Sequence, residues 1–248
     1  MSRFYVPKEA VSGNRILISG KEAHHILDVM RLNISDEVVV FDGTGKEYVG
    51  VVKEAGRKSL SLEIVKVRNL NPSAKYSITL IQAIPKKEKM DYIIEKATEL
   101  GVDSIIPVTT ARTIPDWNDS KRASIVERWR KISLEASKQC GRTDIPEISP
   151  IIEFKDAITA AVSYTATVYN LKLIAALNDK AIKFKDALKS CLGGKIAIAI
   201  GPEGDFTPGE IKSAQGQGFK TVNLGPRVLK SDTAGLAAIS MINYEYQE

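Results

Sequence analysis

Several short runs of this chain are apolar at nearly every position, and stretches with helical periodicity separate them. Two examples are YSITLIQAI at 76–84 and KIAIAIG at 195–201. Strands with apolar side chains on both faces are typical of a parallel sheet that helices cover on each side. This alternation begins near residue 73 and predicts an α/β domain with a mostly parallel sheet.

Further elements of this domain follow from periodicity and from start and stop residues. A helix with Met90, Ile93 and Ile94 on its apolar face should end before Gly101. Other strands are predicted at 104–108, 173–177, 196–200 and 221–224, and other helices at 121–139, near Ala181, at Pro208 and after Ser231. The sequence TPGE at 207–210 is a capping box with proline at the first helical position.

The first 72 residues have a different pattern. Four short segments rich in Val and Ile are predicted strands: RILIS, EVVVFD, EYVGVV and SLEIVKV. Asp42–Gly45 is a predicted hairpin turn, and Lys21–Arg31 is a predicted helix. Short strands at this spacing predict a small β-barrel, followed by a linker at Asn69–Ser73. We therefore expect two domains, residues 1–72 and 73–248.

Composition narrows the class of protein. Lys and Arg total 35 against 30 Asp and Glu, a net charge of +5 that permits nucleic-acid binding without demonstrating it. Cys140 and Cys191 form no CxxC pair, so neither a metal site nor a disulfide scaffold is expected. No apolar run reaches about 18 residues and no signal segment is evident, which predicts a cytoplasmic protein without a membrane partner.

The loop GPEGDF at 201–206 lies between a predicted buried strand and the capped helix. In open α/β sheets, ligands bind at the carboxyl ends of the strands. Glu203 and Asp205 would repel a phosphate, and the chain has neither phosphate-binding glycine motif, which disfavours ATP, GTP and NAD. The paired acids suit a cation, an amine or ribose hydroxyls. A tight turn with both acids solvated is the simpler alternative.

A second loop of this kind follows, in which the strand TVNL leads into GPRVLKSDTA at 225–234. It also places a Gly-Pro turn between a strand and a polar helix start. We expect the two loops to form two walls of one pocket. The alternative is a second plain turn with surface charges, in which Asp232 only caps the last helix.

These motifs resemble those of the RsmE family, the 16S ribosomal RNA uridine N3-methyltransferases of the SPOUT class. The likeness is carried by GPEGDF, LGPRVLKSDTA, EKATELGV, Arg3-Phe4, the helix at His24–Arg31, KQCGR at 138–142 and Pro146–Ile148. It extends over nearly the whole chain, with the motifs in the expected order. Many members have glycine where this chain has Asp205, glycine is usual at Lys87, and Arg and Glu are commoner than Lys230 and Asp232.

The resemblance implies properties that the residue pattern itself does not show. The cofactor is S-adenosylmethionine, and it lies in the loops of a deep trefoil knot in the C-terminal domain. The enzyme is a homodimer whose sites are completed at the subunit interface. The N-terminal barrel is PUA-like and helps to bind RNA. The expected substrate is 16S ribosomal RNA of the small ribosomal subunit, methylated at N3 of uridine 1498.

Matching the two loops to the family's motifs gives the candidate site residues. The cofactor-binding candidates are Leu177, Gly201, Pro202, Glu203, Gly204, Leu224, Gly225, Val228, Leu229, Thr233 and Ala234. The catalytic candidates are Arg227, Asp232 and Arg3, with Glu203 as an alternative to Asp232 for accepting the uracil proton. The RNA-binding candidates are Arg3, Arg31, Arg112, Arg142 and Lys230.

Two predicted helices are strongly apolar on at least one face. Trp129 of the helix at 121–139 is predicted to lie in the core, and the apolar helix 233–244 is predicted to pack in the core or against a partner chain.

Three other functions stay open. The chain could be a SPOUT methyltransferase with another ribosomal or transfer RNA target. It could be a non-catalytic RNA-binding ribosome assembly factor. A nucleotide-dependent enzyme is a third alternative, which the missing phosphate motifs disfavour.

Overall fold

The computed structural model describes residues 3–70, 75–86, 89–113, 117–160, 168–178 and 180–246. Lys87 and residues 71–73 of the predicted linker lie outside these ranges. The chain divides into two units. Unit 1 comprises Met1–Ser73 and Ser137–Ile145, and unit 2 comprises Ala74–Ala136 and Pro146–Glu248.

Unit 1 is built on a six-stranded sheet. Its strands are β1 (Arg3–Tyr5), β2 (Val11–Ser12), β3 (Arg15–Ser19), β4 (Glu37–Phe41), β5 (Lys46–Ala55) and β6 (Ser59–Asn69). They lie in the order β1-β4-β5-β6-β3-β2, and all neighbours are antiparallel except β1 and β4. The four predicted strands are confirmed. Apolar side chains that alternate along β3, β4 and β6 form its core.

In unit 1, the predicted turn is confirmed, whereas the predicted helix has different bounds. Asp42–Gly45 joins β4 to β5 as predicted, and Asp42 Oδ1 accepts a hydrogen bond from the Thr44 N–H (2.9 Å). The predicted helix is present as α1 (Gly20–His24), continued by a π-helical turn at His25–Val29. It ends before Arg31, whose φ of 55° is left-handed and cannot continue a helix.

Unit 2 alternates strands and helices. Its strands are β7 (Tyr76–Ala83), β8 (Ser104–Thr109), β9 (Glu147–Ile148), β10 (Ile152–Glu153), β11 (Leu171–Ala175), β12 (Ile182–Lys183), β13 (Gly194–Ile200) and β14 (Lys220–Asn223). Its helices are α2 (Lys89–Glu99), α3 (Asp119–Cys140), α4 (Phe154–Ala160), α5 (Phe184–Lys189), α6 (Pro208–Gly216) and α7 (Ser231–Tyr246). The residues of α3 from Ser137 onwards are grouped with unit 1.

The sheet of unit 2 is parallel and covered on both faces, which confirms the predicted α/β class. Its order is β10-β8-β7-β13-β11-β14-β12, with β9 beside β8, and every described pair is parallel. Ile196 and Ile198 of β13 share a core cluster with residues of α2, α5 and α7. Ala197 and Ala199 belong to a second cluster with residues of α4 and α6. Alternate residues of one strand therefore stabilise opposite layers.

Some boundaries differ from the prediction for physical reasons. The strand predicted at 173–177 is β11, which ends at Ala175, so Leu177 lies in the following loop. The helix expected near Ala181 begins at Phe184, because Ile182 and Lys183 pair with β14 as β12. Helix α4 was not predicted. Trp129 is 2% exposed within the core, as predicted, and its Nε1–H donates to Asp91 Oδ1 (3.1 Å).

Replacement of Tyr48 by Phe tests the core of unit 1. The buried Tyr48 hydroxyl donates to Asp42 Oδ2 (2.8 Å). Burial and the Asp42 carboxylate together raise the pKa of Tyr48 to about 12. The fold favours the neutral phenol, so its stabilising contribution is complete below about pH 10 and is lost as the pH rises to about 12. Urea unfolding at about pH 9 and pH 12 should show that the wild type loses about 2 kcal/mol more than Tyr48→Phe.

The matched control is Tyr92→Phe, since the Tyr92 side chain is 52% exposed. This variant should retain the alkaline destabilisation of the wild type. The same loss of unfolding free energy in Tyr48→Phe as in the wild type would contradict the assignment.

Candidate functional site

A pocket opens at the carboxyl ends of three neighbouring parallel strands, β13, β11 and β14. Its volume is about 260 Å³. It is lined by Ala175, Ala176, Leu177, Ile200, Gly201, Pro202, Glu203, Asp205, Val222, Asn223, Leu224, Gly225, Arg227, Val228, Leu229, Lys230, Ser231 and Ala234. Open α/β sheets bind ligands at this position.

The loop after β13 forms one wall and is tightly folded. A side chain on Gly201 would place its Cβ 3.2 Å from Phe206 N, closer than ordinary packing allows. The Asp205 N–H donates to Pro202 O (2.9 Å), which closes the turn. The predicted capping box is present, with the Glu210 N–H donating to Thr207 Oγ1 (3.2 Å) and the Thr207 N–H donating to Glu210 Oε2 (2.8 Å). The start of α6 therefore fixes the end of this loop.

Asp205 links this loop to the one after β11. Its φ is 60°, in the left-handed region. The Leu177 N–H donates to Asp205 Oδ2 (3.0 Å), and the Phe206 N–H donates to Asp205 Oδ1 (2.8 Å). Both carboxylate oxygens of Asp205 are therefore engaged by backbone amides.

The loop after β14 supplies the opposite wall. Gly225 has a φ of 136°, a conformation that side chains rarely adopt. Val228 on this loop is 74% exposed, and Leu177 across the pocket is 68% exposed. Two large apolar side chains that line a concave site and stay exposed are typical of a ligand pocket.

A buried chain of hydrogen bonds connects the first loop to the start of α7. Gln82 Nε2–H donates to Ser231 Oγ (3.0 Å) and to Ala83 O (2.9 Å). The Ser231 hydroxyl in turn donates to Gly201 O (2.6 Å). Gln82 is fully buried and Ser231 is 4% exposed. Because buried polar groups are costly without partners, this chain holds the backbone of Gly201 in place.

One lysine lies between the acids of the two loops. Lys89 Nζ is 3.5 Å from Glu203 Oε1 and 3.6 Å from Asp232 Oδ2. Glu203 also accepts hydrogen bonds from the Lys86 N–H at 3.1 and 3.2 Å, through its two oxygens. Asp232 Oδ1 accepts from the Thr233 N–H (3.0 Å). The two carboxylates thus share one cation, and each also accepts a hydrogen bond from a backbone amide.

The structure brings most of the cofactor-binding candidates together. Nine of the eleven line the pocket, and Gly204 and Thr233 lie beside it without lining it. Arg227 and Lys230 also line it, whereas Asp232 does not. Arg227 is exposed and pairs with no carboxylate among the described residues. The Arg112 guanidinium donates to Gly204 O and so contacts the loop from outside.

Three of the predicted arginines belong to unit 1. The Arg3 guanidinium donates to Gly141 O and to the Glu47 carboxylate. Arg142 pairs with Asp144, and Arg31 is exposed just after the helix. Arg3 and Arg142 are thus already engaged by partners within unit 1.

Sequence reasoning missed the residues at the strand ends. Ala175, Ile200, Val222 and Asn223 line the pocket because parallel strands deliver their last residues to the same edge. The placement of strands alone could have identified them. Ser231 lies within the LGPRVLKSDTA motif but was not among the candidate site residues, and only the structure shows that its hydroxyl donates to Gly201 O.

Within the described ranges, no helix is long and apolar enough to cross a membrane. The same residues contain no group of three or more metal-ligating side chains that could hold an ion.

Comparisons with known proteins identify both parts of the chain. Residues 72–243 match the model of an RNA methyltransferase domain, and residues 18–65 match that of an RNA methyltransferase PUA domain. A ribosomal RNA small subunit methyltransferase E from Bacillus subtilis is 30% identical over 230 residues, 92% of this chain and 89% of that protein. The protein of the same name from Rickettsia conorii is 30% identical over 97% of this chain and 94% of its own length.

A solved structure adds to these matches. The ribosomal RNA small subunit methyltransferase E from Neisseria gonorrhoeae, bound to S-adenosyl methionine, is 31% identical and superposes with a TM-score of 0.85, covering 99% of this chain and 98% of that one. Identity at this level over nearly the whole length, with both domain models in sequence order, is decisive. The chain belongs to the RNA methyltransferase family that includes ribosomal RNA small subunit methyltransferase E.

Proposed function

We propose that this protein transfers a methyl group from S-adenosylmethionine to uracil N3 in 16S ribosomal RNA, at the position expected to be uridine 1498. The observation that carries the proposal is the pocket between the GPEGDF and LGPRVLKSDTA loops. It lies in a chain whose relatives are named for ribosomal RNA methylation, one of them with the cofactor bound.

The residues of the pocket fit this cofactor. The apolar side chains of Leu177 and Val228 suit the faces of an adenine ring, and loop backbone groups offer rigid donors and acceptors. Glu203 suits a ligand that carries positive charge and ribose hydroxyls, and both Glu203 and Asp205 would repel a phosphate. We assign cofactor binding to the eleven residues that the family motifs suggest. Of these, Gly204 and Thr233 act from beside the pocket.

The chemistry divides between cofactor and protein. When bound, S-adenosylmethionine supplies the electrophilic methyl group. The protein must hold the acceptor in line with it, which is a positioning task. It must also remove the proton of uracil N3 or stabilise the resulting anion, since the neutral ring is a poor nucleophile.

Charged residues at the pocket suit the second task. Arg227 is exposed on the pocket wall and pairs with no carboxylate in the part of the chain that the structure describes, so its guanidinium is available for the uracil anion or for RNA. Asp232 and Glu203 are the two candidate proton acceptors. Each accepts a hydrogen bond from a backbone amide and lies near Lys89. Lys89 beside both carboxylates keeps the site from accumulating negative charge.

The finer architecture is part of the proposal. Residues 1–72 form a PUA-like β-barrel that binds RNA, and residues 73–248 form a SPOUT methyltransferase domain with a deep trefoil knot. The mostly antiparallel sheet of unit 1 and the parallel sheet of unit 2 support these assignments. Arg3, Arg31, Arg112, Arg142 and Lys230 contact RNA, and Arg3 also contributes to catalysis. The protein acts in the cytoplasm on the small ribosomal subunit.

Mass spectrometry of 16S ribosomal RNA from a deletion strain tests the function directly. We expect 3-methyluridine to disappear from the nucleotide proposed above and to return when the gene is restored. Loss of a different methylation would favour a SPOUT enzyme with another ribosomal or transfer RNA target. Unchanged RNA, with no S-adenosylmethionine binding in calorimetry, would favour a non-catalytic assembly factor.

Replacement of Arg227 by Ala tests its role in catalysis. Loss of a cation that stabilises a developing anion typically lowers turnover by about 100-fold or more. We therefore expect methylation of 16S ribosomal RNA to fall by about this factor, with S-adenosylmethionine affinity changed by less than about threefold.

Lys212→Ala provides the control, because Lys212 is an exposed cation on α6 outside the pocket. It should retain wild-type turnover. Wild-type turnover in Arg227→Ala would remove Arg227 from the site.

Sedimentation equilibrium tests the proposed homodimer. Ala234, Ala238, Ile239 and Ile242 of α7 are buried within unit 2, whereas Tyr244 near its end is 88% exposed. A partner chain would cover apolar surface that stays accessible on this helix. At micromolar concentration we expect a mass of twice 27.2 kDa. A stable monomer would contradict the dimer.

A further inference from the structure

We infer that Asp205 is a positioning residue that holds the cofactor pocket open and ordered before the ligand arrives. The inference rests on the proposed function, since it concerns the same pocket. We name the two hydrogen bonds from the Leu177 N–H and the Phe206 N–H to its carboxylate the Asp205 clamp.

The clamp joins two neighbouring strands at their carboxyl ends. Leu177 follows β11 and Asp205 follows β13, and these strands pair in parallel from Leu171–Ile196 to Ala175–Ile200. Beyond the last pair of this ladder, the segments that follow β11 and β13 diverge into different loops. The bond from the Leu177 N–H to Asp205 Oδ2 (3.0 Å) reconnects them. Because both residues line the pocket, the clamp fixes the distance between two parts of its lining.

The backbone conformation of Asp205 indicates that this residue contributes through its carboxylate and not through the turn that it forms. A φ of 60° is strained for a residue with a Cβ and free for glycine. The turn itself is closed by the Asp205 N–H bond to Pro202 O, which any residue could make. Glycine would therefore form the same turn with less strain. What aspartate adds is a carboxylate that accepts from two backbone amides, a charge-assisted interaction.

The clamp also accounts for the position of Leu177. Among the described residues, the Leu177 N–H has Asp205 as its hydrogen-bond acceptor, whereas its neighbours Ala176 and Asn178 donate to Val222 O and Ala176 O. The Leu177 side chain is 68% exposed, so packing contributes little to holding it. Without the clamp, the ligand must order this segment when it binds. The free-energy cost of that ordering lowers the affinity for the ligand.

Asp205→Gly separates the clamp from the turn. We expect S-adenosylmethionine binding in calorimetry to weaken about tenfold, because charged hydrogen bonds of this kind commonly account for such a factor. Turnover at saturating cofactor should change by less than about twofold, since the clamp acts before chemistry. The midpoint of thermal unfolding should change by less than about 5 °C, because relief of the left-handed strain offsets much of the loss of the two hydrogen bonds. A larger fall would mean a general loss of folding.

Hydrogen exchange of the ligand-free protein distinguishes the clamp from direct contact with the ligand. The Leu177 amide should exchange at least about tenfold faster in Asp205→Gly than in the wild type, because its acceptor is gone. Asp205→Asn keeps one acceptor oxygen and should give intermediate exchange and affinity. Ser35→Gly is the matched control, since Ser35 also has a left-handed φ of 79° and lies in unit 1. It should leave both readouts unchanged.

Two results would overturn the inference. One is cofactor affinity in Asp205→Gly within about twofold of the wild type. The other is unaltered Leu177 exchange, which would mean that Asp205 acts by touching the ligand. If the wild type itself fails to bind S-adenosylmethionine, the proposed function fails, while the exchange measurement still tests the clamp.

Discussion

The parallel hydrogen-bond ladder of β13, with β7 on one side and β11 on the other, is the constraint on which the rest of unit 2 depends. It forces all strands to end at one edge, so the loops after β13, β11 and β14 meet without further adjustment. It also requires both faces to be apolar. Isoleucines and alanines alternate along β13 and pack against different helices on the two faces of the sheet. The small alanines pack in the layer that contains α4 and α6.

This constraint explains why the sequence predicted the fold well. Continuous apolar runs such as that of β13 have few alternatives to a buried parallel strand. Boundaries were less predictable where pairing overrode local pattern. A helix was predicted to begin near Ala181, but Ile182 and Lys183 pair with the edge of β14 and form β12 instead. The π-helical turn after His24 and the left-handed Arg31 likewise reflect local backbone geometry that periodicity cannot encode.

The site was predictable to a different degree. The glycines and acids of the two loops were visible as motifs, and the structure brings them to one pocket. The groups that hold those loops were not visible. Gln82 is a polar residue within a predicted apolar strand, and its role depends on Ser231, far along the sequence. The Asp205 bond to Leu177 similarly joins residues of different loops. Hydrogen bonds between distant positions leave no local pattern in a single sequence.

The pairing of β7 with β13 has a consequence for how this molecule comes into being. Tyr76 pairs with Gly194, and most of unit 2 lies between them in the chain. Contacts between such distant residues are formed late and slowly, because a long loop must close first. During synthesis, the ribosome must release nearly the whole chain before the central ladder can assemble. A truncated nascent chain therefore has no pocket, and ligand binding reports that folding is complete.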